Sequence, residues 1–155
     1  MVKLVKQYSV FLPKAPGAMS AFLERFFREK VNIIGIASEM REDSGIVRIT
    51  VDTDTSISQI LTRDGFTTIE TQVILLELKD QPGMLLKLST LLGDNGISIT
   101  TIYGTTYTGS IGHLLLNVTD APRAVELLKG LLAEREQLSP KEQQPCPPAQ
   151  ESALP

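Results

Sequence analysis

Tryptophan is absent from this sequence, and cysteine and histidine occur once each. A lone cysteine, Cys146, excludes a disulfide framework or a cysteine-rich metal site within one chain. That usage suits a reducing compartment. With His113 as the sole histidine, a metal site would have to draw on carboxylates or on a second chain. His113 stands between Gly112 and Leu114 in a strand-like run, as a histidine on a sheet face or hairpin edge does. Nothing places a serine beside it for nucleophilic catalysis. Three tyrosines and five phenylalanines are too few for an RNA-stacking platform. The net charge of −3 argues against a broad nucleic-acid surface. No apolar run approaches the roughly 18–20 residues of a membrane span. The first eight residues lack the apolar core and cleavage pattern of a signal peptide. No GxGxxG or GxxxxGK[ST] pattern occurs. The expectation is a cytoplasmic protein with no catalytic residues, metal or cofactor and no nucleic-acid or membrane partner.

What is present is a repeat. The alternating run Leu76–Glu77–Leu78–Lys79–Asp80–Gln81 stops at Pro82–Gly83, and helical spacing begins at once. The same event occurs 66 positions earlier, where Val10–Phe11–Leu12 leads to Pro13 and then to Pro16–Gly17. A duplication of this length means that one unit was built twice. Units of this size have marginal cores, which favours packing together and dimerisation.

In the first unit, Leu4–Leu12 reads as a strand ended by Pro13 and Pro16. Met19, Phe22, Leu23, Phe26 and Phe27 form an apolar stripe on a helix of about residues 16–30. Glu24 and Arg28 are spaced to pair on its surface. Val31–Glu39 and Ile46–Asp52 are strands joined by a polar turn. Asp54 or Thr55 is placed to cap a short helix, which Gly65 ends, and Phe66–Glu70 is a fourth strand. The order β-α-β-β-α-β makes each unit α+β and ferredoxin-like.

The second unit repeats the plan with a strand over 72–80 and a helix stripe of Met84, Leu85, Leu88, Leu91 and Leu92. A turn follows at Gly96, then strands over 97–106 and 111–118, and a helix capped by Asp120. Leu131–Leu132 stands where a fourth strand should begin. The helix therefore continues to about Gln137, or a short strand forms at Leu131–Ala133. If the strand is missing or short, an exposed edge needs covering by the tail or by a partner chain. The units read as residues 1–71 and 72–138, with a disordered tail over 139–155 that holds five prolines between Pro140 and Pro155. The tail reads as a solubilising extension or a polyproline docking segment.

The binding argument rests on the Pro-Gly turns. Gly83 lets the chain approach a ligand without a Cβ in the way. Free amides at the following helix start suit a carboxylate. Polar groups at the start of the next strand, Asn32 in one unit and Ser98 in the other, could hold the rest of a small molecule. The alternative is that Pro-Gly simply starts a helix tightly.

The strand, Pro-Gly, helix, Asn/Gly-Ile, strand pattern resembles the ACT domain, a regulatory amino-acid-binding module, and small proteins made of two ACT domains in tandem. Asp80–Gln81–Pro82–Gly83 matches the usual acidic or Asn residue, any residue, then Pro-Gly. Leu91–Leu92–Gly93–Asp94–Asn95–Gly96–Ile97–Ser98–Ile99 resembles the segment that follows, with Ser98 in place of the usual Asn. The first unit keeps that Asn as Asn32 but has Lys30 in place of the preceding glycine. ACT domains pair side by side and hold effectors at the interface. Carried over, the resemblance implies contacts at Ala15, Gly17, Ala18, Asn32, Gln81, Gly83, Met84 and Ser98. It implies a homodimeric regulatory protein that senses an amino acid or similar small carboxylate. The alternative is a ligand-free interaction subunit of a biosynthetic enzyme, docking through its sheet edge or its tail.

Overall fold

The computed structural model describes residues 1–40, 44–51, 57–79, 81–105 and 111–138. The first half contributes β1 (Val2–Pro13), α1 (Ala18–Arg28), β2 (Ile33–Met40), β3 (Ser44–Val51) and α2 (Ile57–Arg63). Then come β4 (Thr68–Lys79), α3 (Met84–Asp94), β5 (Ile99–Thr105), β6 (Ile111–Val118) and α4 (Ala121–Leu138). The strands form one antiparallel sheet in the order β2-β3-β1-β4-β6-β5.

Alternation along the strands sorts side chains between two faces. Tyr8, Val10 and Leu12 of β1 join Val47, Ile49 and Val51 of β3 against Phe22 and Phe26 of α1 and Ile57 and Leu61 of α2. Ile74, Leu76 and Leu78 of β4 make the matching core with Leu88 and Leu92 of α3 and Ala124 and Leu128 of α4. All four helices thus cover one face. Phe22 packs edge to face on Phe26 and Phe66, with centroids 5.2 and 5.4 Å away. The predicted stripes are too wide at one end. Phe27 is 83% exposed, and Leu85 is exposed as well. Each lies one residue, about 100° of rotation, beyond a buried neighbour, which carries it off the sheet.

Both ends of the helices use the chemistry the sequence offered, with one addition. Gly65 and Gly96 have positive φ. So does Lys30, with φ 55°. At all three ends the next residue's amide reaches back to close the turn, Val31 to Phe26 O, Phe66 to Leu61 O and Ile97 to Leu92 O, each at 2.9 Å. Lys30 therefore does the work of the glycine in the other repeat. Asp120 caps α4 by accepting from the Arg123 amide at 3.1 Å. The Glu24–Arg28 pair forms at 2.6 Å. The Asp54 or Thr55 cap, Asp80, Cys146 and the tail lie outside the described residues.

The halves are joined by shared strands. With neither Pro nor Gly between Phe66 and Asp80, the strands expected over 66–70 and 72–80 merge into unbroken β4. Thr68–Leu76 pairs with β1, and Ile74–Lys79 pairs with β6. Val2–Val5 of β1 extends beyond its pairing with β3 and lies against Val73–Leu76. This is the place a fourth strand of the second unit would take. α4 continues through Leu131–Leu132, and no strand follows it among the described residues. The exposed edge expected there is instead covered by the chain's own first strand rather than by the tail or a partner.

On the helix-free face the sheet curls. Four strand spacings separate β2 from β6, about 19 Å in a flat sheet. Yet a methyl built on Gly35 of β2 would overlap Leu115 Cδ1 of β6. Tyr103 of β5 likewise reaches β1 and β3. Its hydroxyl donates to Gln7 Oε1 at 2.8 Å and lies 3.0 Å from Thr50 Oγ1. Val5, Val73, Leu75 and Leu115 fill the hollow, with Ile34 and Tyr103 packed on them.

Candidate functional site

Each Pro-Gly pair forms a type II turn. Proline supplies the first central residue and glycine the second, with φ 82° and ψ −9° at Gly17 and φ 83° and ψ −2° at Gly83. The Ala18 amide donates to Ala15 O at 3.1 Å, and the Met84 amide donates to Gln81 O at 3.2 Å. The turn therefore uses the first helical amide, which the sequence reading had left for a ligand. The first helical bonds run from Ala21 to Gly17 O and from Lys87 to Gly83 O. The amides between, of Met19 and Ser20 and of Leu85 and Leu86, have no acceptor within the helix. Nothing lies within 4 Å of a Cβ built on Gly17 or Gly83. Positive φ, and not crowding, requires glycine there. Gly83→Ala is accordingly expected to cost about 1–2 kcal/mol through the left-handed backbone alone. Urea denaturation would show this as a lower midpoint with an unchanged slope.

The eight predicted contacts form four separate places. Ala15, Gly17 and Ala18 share one turn, and Gln81, Gly83 and Met84 share the other. Because β1 and β4 are antiparallel, the turns stand at opposite ends of the sheet, on the order of 40 Å apart. Asn32 and Ser98 are exposed at the starts of β2 and β5. Ile33 is level with Val51 and hence with Lys6. Asn32, one residue further back, therefore lies about 26 Å along the strands from the end of β1. Met84 differs from expectation more sharply: the residue is 4% exposed, with its side chain in the core and its amide closing the turn. Ser98 is tied by its amide to Thr119 Oγ1 at 3.1 Å.

A different feature does bring the halves together. On the helix-free face a cleft of about 310 Å³ opens between Ile33–Ile36 of β2 and Tyr103, Gly104, His113 and Leu115. Its size falls at the lower end of the range for small-ligand pockets. Burial raises the Tyr103 hydroxyl above its usual pKa of 10.0, against the opposing effects of the Thr50 hydrogen bond and the Arg48 charge. It stays a neutral donor within the Gln7–Thr50 network. His113 lies at the rim, as a sheet-face histidine, with Nε2 3.0 Å from Glu77 Oε1. No group of three His, Cys, Asp or Glu side chains able to hold a metal occurs among the described residues. The sequence did carry a sign of this cleft: a glycine inside each edge strand. Glycine within a strand marks close approach. Gly35 makes room for Leu115, and a Cβ on Gly104 would overlap the main chain of β6.

Two ferredoxin-like units under one sheet, each with a Pro-Gly turn at its first helix, define a tandem regulatory module. The model of the ACT domain pair family matches residues 3–138, and the chain belongs to that family. Small-molecule sensing in a regulatory role is what this family indicates. Among solved structures, protein BT0572 from Bacteroides thetaiotaomicron is similar at TM-score 0.76 and 22% identity, covering 84% of this chain and 90% of that one. The ligand-free regulatory subunit of aspartate kinase from Thermus thermophilus is similar at TM-score 0.63 and 14% identity, covering 83% and 95%. Aspartate kinase from Clostridium acetobutylicum is similar at TM-score 0.57 and 16% identity, covering 86% of this chain and 34% of that chain. These identities establish likeness of fold. No curated protein matches the sequence. No helix among the described residues is long and apolar enough to cross a membrane.

Proposed function

We propose that this chain is a non-catalytic regulatory module that binds an amino acid or similar small carboxylate at its Pro-Gly turns, as a cytoplasmic homodimer. The observation that carries the reading is the turn made twice in one geometry, with open space beside each glycine. The ligand carboxylate meets the amides of Met19 and Ser20, or of Leu85 and Leu86, where the helix field favours negative charge.

The dimer follows from where Asn32 stands. β1 and β2 are both antiparallel to β3, so they run in one direction. Asn32 is therefore at the far end of its unit from Gly17. A second copy pairing antiparallel along β2 brings its own Asn32 level with the first copy's turn. That edge is apolar enough to pair: Ile36 on β2 is 48% exposed, and Phe27 on α1 is exposed more fully. Ile102, which stands at the position of Ile36 in the second half, is exposed as well.

Those exposed side chains also favour a second reading, in which the same edges dock a different protein and no ligand binds. Thermal unfolding with each common amino acid separates the two. A ligand at a hundred times its Kd adds about 2.7 kcal/mol of stability. The first reading expects such a shift from at least one amino acid, together with a dimer by light scattering. A monomer unaffected by every amino acid would count against it and leave the docking reading.

A further inference from the structure

The two halves of the sheet fold toward each other along the shared strands β1 and β4, and their helix-free faces meet. We propose that Tyr103 is a positioning residue that clasps this closure, and that the halves part and rejoin there while both helix-side cores stay folded.

Each half has its own core on the helix side. The layer between the halves is a third cluster, Val5, Val73, Leu75 and Leu115, with Ile34 and Tyr103 packed on it. That layer does not fill the space, since a cleft of about 310 Å³ remains between β2 and the strands β5 and β6. Where β2 meets β6 the residue of the first half is Gly35, which has no side chain to interlock with Leu115. What spans the halves beside it is polar. The Tyr103 hydroxyl donates to Gln7 Oε1 at 2.8 Å. Its one proton is then used, so the Thr50 hydroxyl donates to the Tyr103 oxygen at 3.0 Å. Gln7 Nε2 in turn donates to Thr71 Oγ1 at 3.4 Å. Gln7 and Thr50 are both buried.

A contact of this kind suits opening and closing. Closed, it pairs groups that are costly to bury alone. Opened, the same groups bond to water, so the two forms differ little in free energy. An apolar layer that filled the cleft would hold the halves shut. The edge strands travel with the halves, and with them Asn32 at the start of β2 and Ser98 at the start of β5. On the reading proposed above, on which this consequence rests, opening shifts the groups that face a second copy's turn.

Two valines on opposite faces of the sheet report the motion. Val73 lies between the halves at 1% exposure, and Val47 lies in the first helix-side core at 0%. Val73→Cys and Val47→Cys are each made in full-length Cys146→Ser protein, which leaves a single thiol. The rate of reaction with a thiol reagent, 5,5'-dithiobis(2-nitrobenzoate), is measured with no amino acid present. Adding Tyr103→Phe leaves Gln7 Oε1 and the Thr50 hydroxyl without their partner in the closed form. It is expected to speed the Val73→Cys thiol about tenfold or more, the factor that a lost buried hydrogen bond implies, with the Val47→Cys thiol unchanged. Where Tyr103→Phe does not fold, Thr50→Val removes one bond of the clasp and gives a smaller rise in the same pattern. An unchanged rate at Val73→Cys, or an equal rise at both positions, would overturn the proposal and make the network an ordinary part of the folded core. No ligand enters the assay, so its outcome is independent of amino-acid binding at the turns.

Discussion

Deleting residues 1–5 is expected to destabilise the protein by on the order of 4–6 kcal/mol, from a handful of ladder hydrogen bonds and the burial of Val5. The loss falls on the half of the chain that is distant in sequence. Met1 exchanges two main-chain hydrogen bonds with Glu77, at 3.1 Å and 2.8 Å. Val2–Val5 pairs with Val73–Leu76, and Val5 is 8% exposed in the layer that includes Leu115. Without this segment β4 becomes an open edge beside β6, and the second unit has no fourth strand. Against a total stability of about 5–15 kcal/mol for a domain, a loss of this size leaves the chain near its unfolding threshold. Urea denaturation of the truncated chain would show a midpoint far below that of the intact protein. Where it does not fold at all, Val5→Ala gives the smaller version of the same measurement. An unchanged midpoint in both would mean that the first strand is not part of the second unit.

Phe22→Ala is expected to cost about 3–5 kcal/mol, the range for removing a fully buried ring. Phe22 is 0% exposed and holds Phe26 and Phe66 edge to face. The effect should not stay in the first half. β1 and β4 each serve both halves, so the loss lowers a single transition and does not split it into two. Chemical denaturation followed by tyrosine fluorescence and by circular dichroism tests this. Coincident curves are expected, and a second half that melts at its original midpoint would contradict the shared sheet.

Most of the architecture was legible because it rests on local signals. The Pro-Gly pair occurs in both repeats, and the glycine ends at Gly65 and Gly96 and the Asp120 cap, though each occurs in one repeat alone, act within a few residues. Strand sharing was less visible. The uninterrupted run from Phe66 to Asp80 announced a tight junction, but which strand closes the second unit is a long-range pairing between Val2–Val5 and β4 that no local pattern encodes. Lys30 was missed as a left-handed residue because its side chain gives no hint of positive φ. In that position the closing bond from Val31 outweighs the backbone strain.

The site was read less completely than the fold, for the same reason. Each turn is local, and its conformation followed from two residues. The meeting of β2 with β5 and β6 depends on the curl of six strands, which only Gly35 and Gly104 foreshadowed. Met84 shows the limit of carrying contacts over by position: its main chain closes the turn while its side chain serves the core.

The claim on which the functional account turns is that a ligand carboxylate sits on the main chain beside Gly17 or Gly83. A crystal structure grown with a saturating amino acid selected by thermal shift tests it at atomic level. The account predicts a carboxylate about 2.7–3.2 Å from the amides of Met19 and Ser20, or of Leu85 and Leu86, with Asn32 or Ser98 of a second copy close by. Both turns empty, with the amino acid bound elsewhere, would contradict it.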